Sequence, residues 1–203
     1  MKTFTVTFIR HGKVNGAPAL YGSTDIAVCP ETNQAICHAL TQADIDYQTV
    51  ISSPLRRCIS LAELLAGEHP LVCEPALKEM HFGQLDGTPF EEITSTSAEW
   101  QQLEQFWHNP ASSGLPEAES LENFSMRVTA CWSRIVSELR NDVLIVTHGG
   151  VIRAIVADVL GLDWKNPQWY SNLTIRNGSV TQIQVTVTDN RPYFVVKQIG
   201  ATY

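Results

Sequence analysis

The sequence predicts an α/β fold: a three-layer, doubly wound, mainly parallel six-stranded sheet with helices on both faces. Three observations lead there. Runs of β-branched and aromatic residues bounded by turn residues recur along the chain. Apolar residues at helical spacing fill most intervals between those runs. Strands that alternate with helices bury their apolar faces best as a parallel sheet covered on both sides.

The strands are expected at Phe4–Ile9, Thr49–Ser52, Leu71–Glu74, Val143–Thr147, Val180–Thr188 and Tyr193–Ile199, the last two forming a hairpin around Asp189-Asn190-Arg191-Pro192. Helices are expected over Thr32–Ala43, Pro54–Ala66, Ser120–Leu139 and Val151–Leu160. Ser53 reads as the N-cap of the second, with Pro54 in its first turn and Gly67 as its stop, while Gly161 closes the fourth. Residues 80–126 break the rhythm: they lack a convincing strand and carry Trp100, Phe106 and Trp107. They also hold eight carboxylates, Asp86, Glu91, Glu92, Glu99, Glu104, Glu117, Glu119 and Glu122, with no Lys or Arg. This interval reads as a helical insertion that is too acidic to clamp phosphate. Without repeats or low-complexity tracts, residues 1–203 are expected to form a single domain.

Composition narrows the function. With 44% apolar and 17% charged residues the chain is globular, and 14 basic against 21 acidic side chains leave a net charge of −7. An acidic surface does not suit a duplex binder that works by counterion release, so nucleic acid is not expected as a partner. No apolar run reaches the roughly 18 residues of a spanning helix, and the N-terminus alternates like a strand, so neither a membrane nor export is expected. Five cysteines, Cys29, Cys37, Cys58, Cys73 and Cys131, are odd in number and lack C-x-x-C spacing. Buried free thiols in a reducing cytoplasm fit best, and neither a zinc knuckle nor a disulfide framework is expected.

In an open α/β sheet ligands bind beyond the carboxyl ends of the strands. Three of those ends are basic: Arg10-His11-Gly12, Ser53-Pro54-Leu55-Arg56-Arg57 and Thr147-His148-Gly149-Gly150, the last opening a helix. Two imidazoles, a guanidinium and a helix N-terminus would surround a tetrahedral dianion with donors and positive potential. An imidazole that is neutral near pH 7 can attack phosphorus without any metal, and arginine can neutralise the charge that spreads over the phosphoryl oxygens. A departing alkoxide needs a proton, for which Glu79, just past the third strand, is the best candidate. His38, His69, His81 and His108 fall in helices or loops and read as surface or satisfied residues.

These segments, with Leu77-x-Glu79-x-x-Phe82-Gly83-x-x-Asp86-Gly87, resemble the four signature segments of the histidine phosphatase superfamily, which includes cofactor-dependent phosphoglycerate mutases. The resemblance implies that His11 is the nucleophile, that Arg10, Arg57 and His148 hold the phosphoryl group, that Glu79 donates the proton, and that neither metal nor cofactor is required. It departs from the mutase pattern at Lys13-Val14-Asn15-Gly16-Ala17, at Leu61-Ala62, and at Ala118 in Pro116-Glu117-Ala118-Glu119-Ser120. Ser120 there reads as a helix cap. The short chain and the run Pro18-Ala19-Leu20-Tyr21-Gly22-x-x-Asp25 are similar to the alpha-ribazole phosphatase branch, which implies a part in cobalamin nucleotide-loop assembly.

The acidic cover with its aromatics is expected to suit a small phosphate ester with one phosphate and an uncharged aromatic body. Competing readings are a broad-specificity phosphatase, a phosphoglycerate mutase and a noncatalytic phosphate-binding regulatory module. The last has no use for a proton donor such as Glu79. Dense metal-ligand spacing such as H-E-x-x-H is missing, which weakens a metal hydrolase. The sequence does not specify an oligomeric state.

Overall fold

The computed structural model describes residues 1–203. In chain order its elements are β1 (Lys2–Arg10), α1 (Pro30–Gln42), β2 (Thr49–Ser52), α2 (Arg56–Ala66), β3 (Leu71–Cys73), α3 (Ala98–His108), α4 (Leu121–Glu138), β4 (Val143–Thr147), α5 (Gly149–Leu160), α6 (Gln168–Asn172), β5 (Val180–Thr188) and β6 (Arg191–Ala201). The six strands form one sheet in the order β3-β2-β4-β1-β5-β6. β3, β2, β4 and β1 are mutually parallel, and β5 runs against both β1 and β6. The reversal between β5 and β6 follows from their two-residue turn: Asp189 and Asn190 take φ of 51° and 59°, the left-handed conformations that a primed hairpin turn demands.

β4 shows why helices cover both faces. All five of its residues are buried. Val143 and Ile145 join the core under α4 and α5, while Leu144 and Val146 join the core under α1 and α2. A strand buried on both sides reads as a continuous apolar run, as Val-Leu-Ile-Val does here. No helix is long and apolar enough to cross a membrane.

Two expectations need correction. The interval 80–126 contains one full α-helix before α4 begins, α3, capped by Ser97 through Trp100 N at 3.2 Å. The rest is irregular chain with single 3-10 turns at Gly83–Leu85 and Phe90–Glu92. Gly83 and Gly87 there adopt φ of 62° and 81°, which stop helix propagation, and Pro89, Pro110 and Pro116 interrupt what remains. The second correction concerns α2, which starts at Arg56 with Leu55 in the capping position. Its first N–H is capped from a distance by Asp25 Oδ1 at 2.7 Å, while the Ser53 hydroxyl lies 2.8 Å from His148 Nε2. Ser120 does cap α4, accepting from Asn123 N at 3.1 Å.

Candidate active site

β1, β4 and β2 end side by side: Arg10 pairs with Thr147 and Ser52 with Val146. The main chain stays locked one residue further, since His11 N donates to the Thr147 carbonyl and Ser53 N to the Val146 carbonyl, each at 3.0 Å. The basic residues that follow these strands are therefore carried on adjacent, fixed backbone.

His11 is buried, and its Nδ1 lies 2.7 Å from the Gly12 carbonyl, so Nδ1 carries the proton and Nε2 keeps its lone pair. Burial, with Arg10 and Arg57 nearby, lowers its pKa to about 3 against the opposing Gly12 hydrogen bond, leaving a neutral imidazole. The His148 ring stands edge-on, with centroids 5.2 Å apart. His148 is fully buried and also held neutral, first by desolvation and then by His11 and the two arginines. Its Nδ1 accepts from Arg57 Nε at 3.2 Å, which leaves Nε2–H to donate to Ser53 Oγ at 2.8 Å.

Arg57 is fully buried while its neighbour Arg56 is exposed, as a helical step of about 100° requires. Besides His148, its guanidinium donates to the carbonyls of Thr24, Tyr21 and Gly22 at 2.8, 2.9 and 2.6 Å. It thus pins the 21–24 loop. Asp86 pins the same loop from the other side, accepting from the N–H groups of Ser23, Thr24 and Phe82; these bonds hold its pKa low despite burial. Arg10 is less engaged. Its Nη1 donates to the Ile175 carbonyl at 2.6 Å, and its buried Nε has no partner.

Glu79 lies across the start of α5. Its Oε2 accepts from Gly150 N at 3.1 Å and its Oε1 from Met80 N at 3.2 Å. Glycine at 150 lets the Glu79 carboxylate sit where it does, because a Cβ there would overlap it and push it aside.

Two adjacent lobes open around Glu79. One, of about 380 Å³, is lined by Arg10, His11, Lys13, Tyr21, Glu79 and Asn177 among others. The other, of about 370 Å³, has Phe82, Phe106, Trp107, Phe124, Arg153 and Tyr170 in its wall, and Leu20, Glu79 and Phe82 border both. All five residues singled out in the sequence therefore gather here. Arg10, His11 and Glu79 face the cavity, while Arg57 and His148 stand buried beside His11 with most of their polar groups engaged. The insertion behaves differently from expectation: none of its eight carboxylates lines either lobe, and Trp100 packs on Trp107 behind the wall. No three His, Cys, Asp or Glu side chains gather in an arrangement that could hold a metal ion.

Two participants escaped the sequence reading. Asn177 Nδ2 lies 3.1 Å from the His11 carbonyl and 3.3 Å from the Gly12 carbonyl, the group that fixes the His11 tautomer. Its Asn-Gly dipeptide signals only a turn. Arg153 could have been found, because it follows Gly150 by three residues and so shares its face of α5.

A profile of the histidine phosphatase superfamily, branch 1, matches residues 6–198. The chain belongs to this superfamily. A relative assigned as phosphoserine phosphatase 2, from Hydrogenobacter thermophilus, is 31% identical over 147 residues, 67% of this chain and 66% of that protein. One from Escherichia coli, assigned as phosphoglycerate mutase GpmB, is 25% identical over 185 residues, 88% of this chain and 83% of that protein. Among solved structures, the alpha-ribazole phosphatase of Shigella flexneri superposes with a TM-score of 0.79 at 19% identity, covering 98% of this chain and 96% of that one. The three proteins carry three different substrate names.

Proposed function

We propose that this chain is a phosphomonoesterase that hydrolyses a small phosphorylated metabolite through a phosphohistidine at His11, in the cytoplasm, without nucleic acid, membrane, metal or cofactor. The observation that carries the reading is the pairing of a neutral His11, whose Nε2 lone pair is left free by the Gly12 carbonyl, with the buried, unpartnered Nε of Arg10. A buried donor without a partner costs about 1–3 kcal/mol, and an incoming phosphoryl oxygen would remove that cost.

The reaction follows from these positions. Nε2 of His11 attacks phosphorus as the phosphorus–oxygen bond to the leaving group breaks. The bonding pair goes to the leaving oxygen, which takes a proton from Glu79. Water, giving its proton back to Glu79, then attacks the phosphohistidine and releases inorganic phosphate with His11 restored. Arg10 offers the phosphoryl group its unengaged donors. Arg57 and His148 add to it from behind, where His148 can donate from Nδ1 only after taking up a proton that the dianion favours and after Arg57 Nε gives up its bond to that nitrogen. Glu79 also argues for turnover over mere binding, since a phosphate binder gains nothing from a carboxylate at the pocket.

For the substrate we favour alpha-ribazole 5′-phosphate, because the second lobe offers an aromatic wall for a ring-bearing leaving group. A hydrolysis screen tests this with alpha-ribazole 5′-phosphate, phosphoserine and 3-phosphoglycerate. An advantage of about tenfold or more in kcat/KM for alpha-ribazole 5′-phosphate is expected. Equal rates would make the protein a broad-specificity phosphatase, and transfer of phosphate to a sugar acid instead of water would make it a mutase.

A further inference from the structure

The aromatic lobe holds a cation that the chemistry at phosphorus does not use. Arg153 lies on α5, three residues and about 4.5 Å along the axis past Gly150, whose N–H holds the proton donor Glu79. One edge of its guanidinium is tied down: Nε and Nη2 donate to the Leu173 carbonyl at 3.1 and 2.8 Å. Nη1 has no protein acceptor, and no carboxylate lies within ion-pair distance of the side chain. Bracing one carbonyl requires no charge. This half-buried cation shares its lobe with Phe82, Phe106 and Phe124, and the Glu79 carboxylate in the same lobe offsets only part of the cost of its desolvation, so a further acceptor would be favourable there.

We propose that Arg153 reads the leaving group: the free Nη1 edge binds acceptor oxygens, either sugar hydroxyls or a carboxylate, about one sugar ring away from the oxygen that Glu79 protonates, while the apolar remainder of the leaving group lies against Phe82, Phe106, Trp107 and Phe124. This rests on the phosphomonoesterase reading and extends it to the kind of alcohol released. The class it selects is a phosphate ester whose leaving group is oxygen-bearing near the phosphorus and apolar beyond. The aromatic wall alone would accept any greasy phosphate, and the Arg153 edge disfavours those that have no acceptor to offer, because such a leaving group would cover the half-buried cation without pairing with it.

Two pairs of esters test it, each pair differing only in acceptor oxygens: adenosine 5′-phosphate against its 2′,3′-dideoxy analogue, and 3-carboxyphenyl phosphate against phenyl phosphate. The quantity read is the ratio of kcat/KM within a pair. It is independent of how much of a variant is folded, which matters because Arg153→Met also releases the Leu173 carbonyl. The wild-type protein should favour the oxygen-bearing member of at least one pair by about tenfold to a hundredfold, the range that hydrogen bonds to a charged donor supply. Arg153→Met should bring that ratio to about one, and Arg153→Lys should restore part of it. A preference in the nucleotide pair identifies hydroxyls as the ligand, and one in the aryl pair a carboxylate. Wild-type ratios near one in both pairs, or a preference that survives in Arg153→Met, would overturn the assignment. If the wild-type protein hydrolysed none of the four esters, the phosphomonoesterase reading would fall first and this one with it.

Discussion

Arg10 and Arg57 look interchangeable as phosphate ligands in the sequence, and the structure gives them different duties. Arg57 has three loop carbonyls and His148 on its donors, whereas Arg10 keeps a buried Nε unpartnered. Arg10→Lys should therefore lower kcat by roughly 10²–10³, the loss typical of one preorganised donor, with Tm little changed. Arg57→Lys should lower both activity and Tm, because the 21–24 loop loses its anchor, and exposed Arg56→Ala should change neither. Steady-state kinetics with thermal unfolding of the three variants check this; an Arg10→Lys variant of normal activity would remove Arg10 from the phosphoryl site. Legibility at this scale was uneven. His11, His148 and Glu79 could be picked out because each directly follows a strand or its turn. The contacts that hold His11, Arg57, Arg153 and Arg10 in place run to the carbonyls of Gly12, Thr24, Leu173 and Ile175, and a carbonyl has no residue type to read.

Among the elements, α5 does the most for the site: its first turn presents Gly150 N to Glu79, and its next turn carries Arg153. Glycine at 150 is required for the carboxylate to approach so closely. Gly150→Ala should displace Glu79 and reproduce much of the effect of Glu79→Gln: slow phosphorylation of His11 with a ribose 5-phosphate ester, but a much smaller loss with para-nitrophenyl phosphate, whose phenolate leaves without a proton. Single-turnover kinetics on both substrates separate this step from dephosphorylation. Equal losses on the two substrates would take Glu79 out of the proton-donor role. The sequence located α5 to within two residues, since Gly161 in the left-handed conformation and the apolar run before it are local signals. It placed α2 two residues too early, because Asp25, a cap from 31 positions away, leaves no local trace.

Across the whole molecule, the sheet order sets both the catalytic cluster and its response to pH. Bringing β1 beside β4 packs His11 against His148, and burial keeps both rings neutral in the folded state. A folded pKa below the unfolded value of about 6.5 means that below that pH the unfolded chain binds protons the folded chain does not. Stability contributed by these rings is complete above about pH 6.5 and is lost as pH falls toward 3, the folded value of His11. Each ring should contribute a slope of up to about 1.4 kcal/mol per pH unit. Urea unfolding of wild type and His148→Gln between pH 7 and 4.5 should show a shallower loss in the variant; identical slopes would mean that His148 titrates normally. The alternation of strand and helix made the parallel layers legible. The strand order did not follow from it, because pairing β1 with β4 depends on contacts between residues more than 130 positions apart.

The central claim is that His11 carries the phosphoryl group, and rapid quenching tests it most directly. The protein is mixed with a radiolabelled phosphomonoester, quenched in alkali and mapped by mass spectrometry. The account predicts label on His11 that survives base, is released by acid, and is abolished in His11→Ala. An acid-stable label on a serine, or full hydrolytic activity in His11→Ala, would contradict it.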